Sequence, residues 1–313
     1  MKFIKTTDSL FFTKNDKEDI RIGDCATHAD IHTQIDNGVA LFGYPDDEGI
    51  KLNGGRIGAA SAPDTIRKYL YKMTPHVLNS ANPKIYDFGN IEVQNHTLDQ
   101  RHELGAQKIS SFNFKKTQWI SFGGGHDYGY ADGKGFLQNP TKLNQKPLII
   151  NFDAHLDVRP NSKVNHSGTP FFRLLNEFGS EFDFVEIGLQ PQCNSKTHWQ
   201  WALAKNSKLL THQEVFEKGL LNIYNEHFSN MTNRSCFISI DMDVFSSDSA
   251  PGCSQSWASG ICAKEFLSTF ENLLNKFQVC GIGLYEVSPP LDQDDRTSKL
   301  AALIAHRFLS CTP

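Results

Sequence analysis

The sequence predicts an α/β protein in which helices alternate with the strands of a mainly parallel sheet. Two observations carry that prediction. Short apolar runs rich in β-branched and aromatic residues recur along the chain, and the segments between them space their apolar residues in the three-and-four rhythm of amphipathic helices. A third observation bears on domain count: no Pro/Gly/Ser-rich linker, low-complexity tract or internal repeat interrupts the 313 residues, so a single domain over 1–313 is expected.

Eight runs read as strands: Val39 to Tyr44, Lys84 to Phe88, Trp119 to Phe122, Leu148 to Phe152, Phe184 to Leu189, Ser207 to Leu210, Cys236 to Ile240 and Val279 to Tyr285. Helical periodicity is clearest over Ala60 to Lys72, Asp99 to Phe112, Lys264 to Lys276 and Thr297 to Leu309. Residues 1–37 are polar and lack either period, which predicts an irregular N-terminal arm packed on the surface. In sheets of this kind functional side chains gather beyond the carboxyl ends of the strands, where the loops form a crevice.

Composition narrows the function classes. With 39% hydrophobic and 21% charged residues the chain reads as an ordinary globular protein. A formal net charge of -4, and no basic cluster longer than Lys115 and Lys116, argue against nucleic acid as a partner. No apolar stretch is long enough to span a bilayer, and the first twenty residues carry charges where a signal peptide would carry its apolar segment. A cytoplasmic location, no membrane contact and a small-molecule substrate are therefore expected. A homo-oligomer is allowed but not specified. The seven cysteines are odd in number, scattered and without a CxxC pair, so neither a disulfide scaffold nor a zinc knuckle follows.

Three clusters carry the chemistry. In SFGGGHDYG, three glycines follow a strand and lead to His126. Glycines allow backbone angles that other residues resist and so can turn the chain to present the imidazole; the motif lacks the lysine and spacing of a P-loop. In IINFDAHLDVRP, Asp153, His155 and Asp157 occupy alternate positions after an apolar run, which in an extended segment would place all three on one side. A solvated strand end would not require two carboxylates and an imidazole in phase. In FISIDMDVF, Asp241 and Asp243 again lie two apart. Buried carboxylates that cannot separate need protons or a cation between them.

Together these residues offer four carboxylates and two imidazoles, a hard donor set that favours Mn2+ over a thiolate-seeking metal. Six ligands suit two ions rather than one. A pair about 3.5 to 4 Å apart lowers the pKa of a shared water, which makes hydrolysis the natural reaction.

GGGHD, NFDAHLD and SIDMD, in that order, resemble the signature motifs of the ureohydrolase, or arginase-agmatinase, superfamily. NGGRIGAASAPDTIR, HSGTPF, APGCS and YEVSPPLDQDDRTSKLAA are also similar to that family, so the likeness runs from about Val39 to Leu309. It implies a three-layer α/β/α fold with an eight-stranded, mainly parallel sheet and two Mn2+ ions per chain. By motif match, Asp153 and Asp241 would bridge the ions, His126 and Asp157 would complete one site, and His155 and Asp243 the other. DVRP, HSGTPF, APGCS and DQDDRT most resemble the branch that hydrolyses N-formimidoyl-L-glutamate to L-glutamate and formamide in histidine degradation.

The resemblance also implies roles beyond the metal. His166 matches a proton-shuttling histidine, Glu286 the acid that grips an amidine or guanidine, and Asp157 steadies the attacking water. Arg159 stands where arginases carry an asparagine that contacts the amino-acid end, and a guanidinium can hold a carboxylate with two parallel hydrogen bonds. Asn161 and Ser162 on the same loop are further candidates for that end of the pocket. The sequence departs from the pattern at Asp127, at Ser246 in place of a third aspartate, and in the loop carrying Cys253 and Trp257. Because the metal motifs are shared, a urea-releasing activity on agmatine, arginine or a guanidino acid is the first alternative. A metal-binding relative without turnover is the second. Dinuclear phosphoesterases carry similar motifs in another order.

Overall fold

Short helices and strands alternate in the computed structural model, which describes residues 3–30, 32–76, 81–142, 145–161, 164–229, 231 and 234–311. In chain order the elements are β1 (Phe3–Ile4), β2 (Ala26–His28), β3 (Gly38–Gly43), α1 (Glu48–Leu52), α2 (Ala62–Leu70), β4 (Ile85–Ile91), α3 (Leu98–Ser110), β5 (Thr117–Phe122), α4 (Tyr128–Gln138), β6 (Leu148–Phe152), α5 (Pro170–Glu177), β7 (Asp183–Leu189), α6 (Lys196–Ala204), β8 (Lys208–Thr211), α7 (His212–Lys218), α8 (Leu220–Phe228), β9 (Ser235–Asp241), α9 (Ala263–Lys276), β10 (Gln278–Tyr285) and α10 (Arg296–Ser310).

All eight predicted strands are present, with ends moved by a few residues. They pair in parallel in the order β4-β3-β5-β10-β9-β6-β7-β8. Parallel strands covered on both faces read as continuous apolar runs rather than alternating ones; β6 and β9 are buried at every position. Successive side chains nonetheless serve opposite layers. Leu148, Ile150 and Phe152 pack with α2, α8, α9 and α10 through residues such as Ile66, Ile223, Phe266 and Ile304. Ile149 joins the other layer, with Leu104 of α3, Phe136 of α4, Leu174 of α5 and Ala202 of α6. The result is the three-layer α/β/α arrangement.

The N-terminal arm differs from expectation. Within 1–37 lie two short strands and two 3-10 turns, Asp8–Leu10 and Ile22–Cys25. β1 pairs antiparallel with one end of β4 (Phe3 with Ile91) and β2 pairs parallel with the other (Ala26 with Ile85). The physical reason is the outer edge of β4, whose backbone groups would otherwise stay open to further pairing. Strands of two or three residues are too short to print a period in the sequence. Among the described residues no helix is long and apolar enough to cross a membrane, and all seven cysteines are unpaired.

One consequence of the strand order positions the site. β5, β10, β9 and β6 are neighbours, so the loops that follow them bring GGGH, YE, DMD and DAHLD to one edge of the sheet.

Candidate metal centre

His126 is set by its backbone. After β5, the N–H groups of Gly123, Gly124 and Gly125 donate to the carbonyls of Leu284 (2.6 Å), Tyr44 (2.8 Å) and Asp46 (3.0 Å). None of the three adopts a positive φ, so the turning role expected of them is corrected. Close approach is the reason for glycine, since a Cβ at Gly124 would run into the carbonyl oxygen of Asp46. The loop delivers a fully buried imidazole stacked on Tyr285 at 4.9 Å. Its Nε2 lies 2.8 Å from the Ser239 hydroxyl, which leaves Nδ1 facing the acids.

The DAHLD segment is not extended. β6 stops at Phe152, and the His155 N–H donates to Asp153 Oδ1 at 2.7 Å, folding the chain into a turn. Asp157 then takes a left-handed conformation (φ 49°), which short polar side chains tolerate better than most. The expected single-sided presentation is therefore replaced by a split: Asp157 turns towards His126, and His155 towards Asp243. In the third motif Asp241 ends β9, and its Oδ1 accepts the N–H of Asp243 at 2.8 Å.

Two cradles result. In the first, His126 Nδ1 lies 2.9, 3.0 and 3.2 Å from Asp153, Asp157 and Asp241. In the second, His155 Nδ1 lies 3.0 Å from Asp243 and 3.5 Å from Asp153. Asp153 belongs to both, as expected. Asp241, also expected to bridge, falls in the first group only, and one of its oxygens accepts the Asp243 N–H. The ligand atoms within each group lie within 4.8 Å of one another.

Burial and mutual charge make these cradles fit cations. Burial, then Asp243 and Asp153, push the Asp241 carboxyl far above its ordinary range. Burial and then Asp153 push Asp157 up to about 6. Against the opposing effect of burial, contacts with Asp153, Asp157 and Asp241 raise His126 well above an ordinary histidine, and Asp243 and Asp153 do the same for His155. The protein alone thus gathers protons where carboxylates crowd. The buried Nδ1 of His126 has three carboxylate oxygens in reach and no hydrogen bond of acceptable geometry, which is the posture of a ligand atom. Nitrogen and carboxylate oxygen form the hard donor set that suits Mn2+.

A cleft of about 430 Å3 opens above the cradles. His155, Asp157, Asp241, Asp243 and Glu286 reach it, and so does Arg159. Glu286 is left-handed at φ 63°, an unusual posture for a glutamate, and it accepts the His126 N–H at 3.0 Å. Burial pushes its carboxyl up to about 8. Arg159 Nη1 donates to Asn53 Oδ1 at 2.7 Å.

His166 stands beside the cleft next to Ser167, which lines it, although His166 itself does not. Gly168 N–H donates to His166 Nδ1 at 3.1 Å, so the neutral ring carries its proton on Nε2. Asn161 is exposed beside the cleft wall residue Arg159 and gives its amide to Asn165 at 2.9 Å. Ser162 lies outside the described residues. Asp127 is buried beneath the site and 2.7 Å from His102 Nε2, and Ser246 bonds Asp248.

Sequence reasoning missed several contributors. Ser239 could have been found, since it sits two before Asp241 on one strand and shares its face. Asn53, Asn194 and His198 reach the cleft from distant segments and had no local signal. Cys193, also in the wall, touches His155.

Fold and site together define a class: a doubly wound α/β protein with two adjoining cation cradles at the carboxyl edge of its sheet. The profile of the arginase family matches residues 37–311, and the chain belongs to that family. A formimidoylglutamase of Streptococcus gordonii is 29% identical over 269 residues, covering 84% of this chain and 81% of the relative. One from Streptococcus pyogenes serotype M5 is 30% identical over 273 residues, with the same coverage of 84% and 81%. Among solved structures, formimidoylglutamase from Bacillus subtilis superposes with a TM-score of 0.85 at 27% identity, covering 96% of this chain and 94% of that one. Trypanosoma cruzi formiminoglutamase, solved with two Mn2+ ions, gives 0.82 at 27%, covering 94% and 98%.

Proposed function

We propose that this protein is a dinuclear Mn2+ hydrolase that cleaves N-formimidoyl-L-glutamate with water to L-glutamate and formamide, a step of histidine degradation. The observation that carries the reading is a cleft that joins two carboxylate-rich cradles to an arginine with no acid partner among the described residues. Such a cleft suits a substrate that is cationic at one end and anionic at the other. The homologous formimidoylglutamases support the same substrate.

His126, Asp153, Asp157 and Asp241 would hold one ion, and Asp153, His155 and Asp243 the other. A bound Mn2+ pair supplies a water made acidic enough to attack at neutral pH. The protein's own residues do the rest. Glu286 accepts hydrogen bonds from the amidinium and orients the formimidoyl carbon, because a desolvated cation needs an anionic partner. Arg159 anchors a carboxylate at the far end. Asp157 accepts a hydrogen bond from the attacking water. His166, beside the cleft, would take up the proton that the attacking water loses and, as imidazolium, pass it to the glutamate nitrogen as the C–N bond breaks, since an unprotonated amine leaves poorly.

An agmatine-type substrate has no carboxylate for Arg159, which disfavours that alternative. The cytoplasm is the proposed location, supported by seven unpaired cysteines. The test is a panel assay of the purified, Mn2+-loaded chain. Formamide released from N-formimidoyl-L-glutamate is the expected result; urea from a guanidino compound instead would overturn the substrate.

A further inference from the structure

Beyond the cradles, the cleft wall carries a second basic group. His198 lines the same cavity as Arg159. Burial and then the Arg159 charge hold the His198 imidazole below its ordinary range, so the two side chains stand within electrostatic reach of each other. Neither has an acidic partner among the described residues, while the other end of the cleft is crowded with carboxylates. Placing two basic groups together without an acid is unfavourable until anions arrive.

Both are held in position. Arg159 N–H donates to the Gly168 carbonyl at 2.8 Å, and Nη1 to Asn53, whose own amide donates to Ser167 Oγ at 3.0 Å. Among the described residues the rest of the guanidinium fork has no hydrogen-bond partner. His198 lies in the first turn of α6 and donates its N–H to Ser195 Oγ at 3.2 Å. The loop before it is stapled to the ligand-bearing turn by Asn194, which accepts the Leu156 N–H at 2.8 Å and donates to the carbonyls of Ala154 and Gln190, each at 2.9 Å. The positive end of α6 adds to the same field.

We propose that Arg159 and His198 form a two-point carboxylate reader, each taking one of the two carboxylates of the substrate, and that His198 is the residue separating a dicarboxylic amidine from a monocarboxylic one. The proposal rests on the formimidoylglutamate reading and sharpens it. Replacing one carboxylate by an amide of the same shape removes a charge-assisted hydrogen bond, and sites built around such bonds reject the analogue that lacks them.

The experiment compares kcat/KM of the Mn2+-loaded chain on N-formimidoyl-L-glutamate and on its two mono-amides, the glutamine and isoglutamine counterparts. The wild type should prefer the diacid over each by roughly ten- to a hundredfold. In H198Q one of the two preferences should collapse to within about threefold, through KM rather than kcat, and H198R should restore it. A general structural disturbance would lower all three substrates together. H198N is the second variant should H198Q not accumulate as folded protein. Two preferences kept in full by the variant would overturn the reader. If the wild type releases formamide from none of the three, the functional reading fails instead. Calorimetry with L-glutamate, L-glutamine and L-isoglutamine then decides the reader: a selective loss of glutamate affinity in H198Q supports it, and an equal change for all three overturns it.

Discussion

His126 Nε2 lies 2.8 Å from the hydroxyl of Ser239, and the opposite nitrogen of the ring faces three aspartates. A ligating histidine is oriented by the bond its other nitrogen makes, and such partners matter nearly as much as the ligands. In Ser239→Ala the ring keeps its place in the sequence but loses that anchor. The variant should bind Mn2+ about 10- to 100-fold more weakly. Calorimetric titration reads this directly, with the melting temperature of the metal-free variant as the check on folding. Undiminished affinity would remove Ser239 from the site.

The sharing of Asp153 between the cradles predicts how many ions each variant keeps. Asp243→Ala damages only the second group, so metal analysis should fall from two ions per chain to one. Asp153→Ala damages both, and bound metal should vanish together with formamide release. Activity surviving that change would contradict the arrangement. Metal binding also stabilises the fold, by roughly 2.7 kcal/mol when the free ion is a hundredfold above its Kd. The melting temperature should therefore fall on chelation in wild type and hardly move in Asp153→Ala.

Much of this site was legible because period and motif coincide. β6 and β9 are buried at every position, so they print largely apolar runs, and the acids stand at or directly after their carboxyl ends. What failed to show was tertiary. α4 has no amphipathic rhythm: nearly all of Tyr128–Gln138 is buried, and Gly135 is there because α3 comes close, its Ala106 carbonyl lying 2.6 Å from where a Cβ would stand. The arm's strands exist only as the complement of the β4 edge. His198 and Asn194 join the cleft through loop packing that no spacing encodes. The turn at Asp153 overrode the strand phase, so the motif residues come together through a local geometry other than the expected one.

His166 offers a prediction in pH. Burial, and then the charge of Arg159, hold its imidazole below 6.5, and Gly168 keeps the remaining proton on Nε2. Below 6.5 the unfolded chain binds this proton more readily than the folded one. Stability linked to His166 therefore rises with pH across the window beneath 6.5 and is lost as pH falls through it. His166→Asn should flatten that part of the slope, measured as the difference in urea-unfolding free energy between variant and wild type from roughly pH 5 to 7. Arg159→Gln should let the His166 titration, followed by NMR, move upwards. A variant with the wild-type slope would show that the ring is not held neutral by its surroundings.

Gly124 links the backbone to the metal. Its N–H donates to the Tyr44 carbonyl, its own carbonyl accepts the Glu286 N–H at 2.9 Å, and a Cβ would meet the Asp46 carbonyl oxygen. Because the obstacle is backbone rather than a flexible side chain, Gly124→Ala must displace the segment that presents His126. The same shift reaches Glu286, which is tied to Gly124 and to the His126 N–H at once. A loss of about 1–3 kcal/mol in unfolding free energy is expected from the forced repacking. Mn2+ affinity should fall with it, and so should kcat on N-formimidoyl-L-glutamate. An alanine accepted without change in any of the three would mean that the glycines are not what sets the ligand in place.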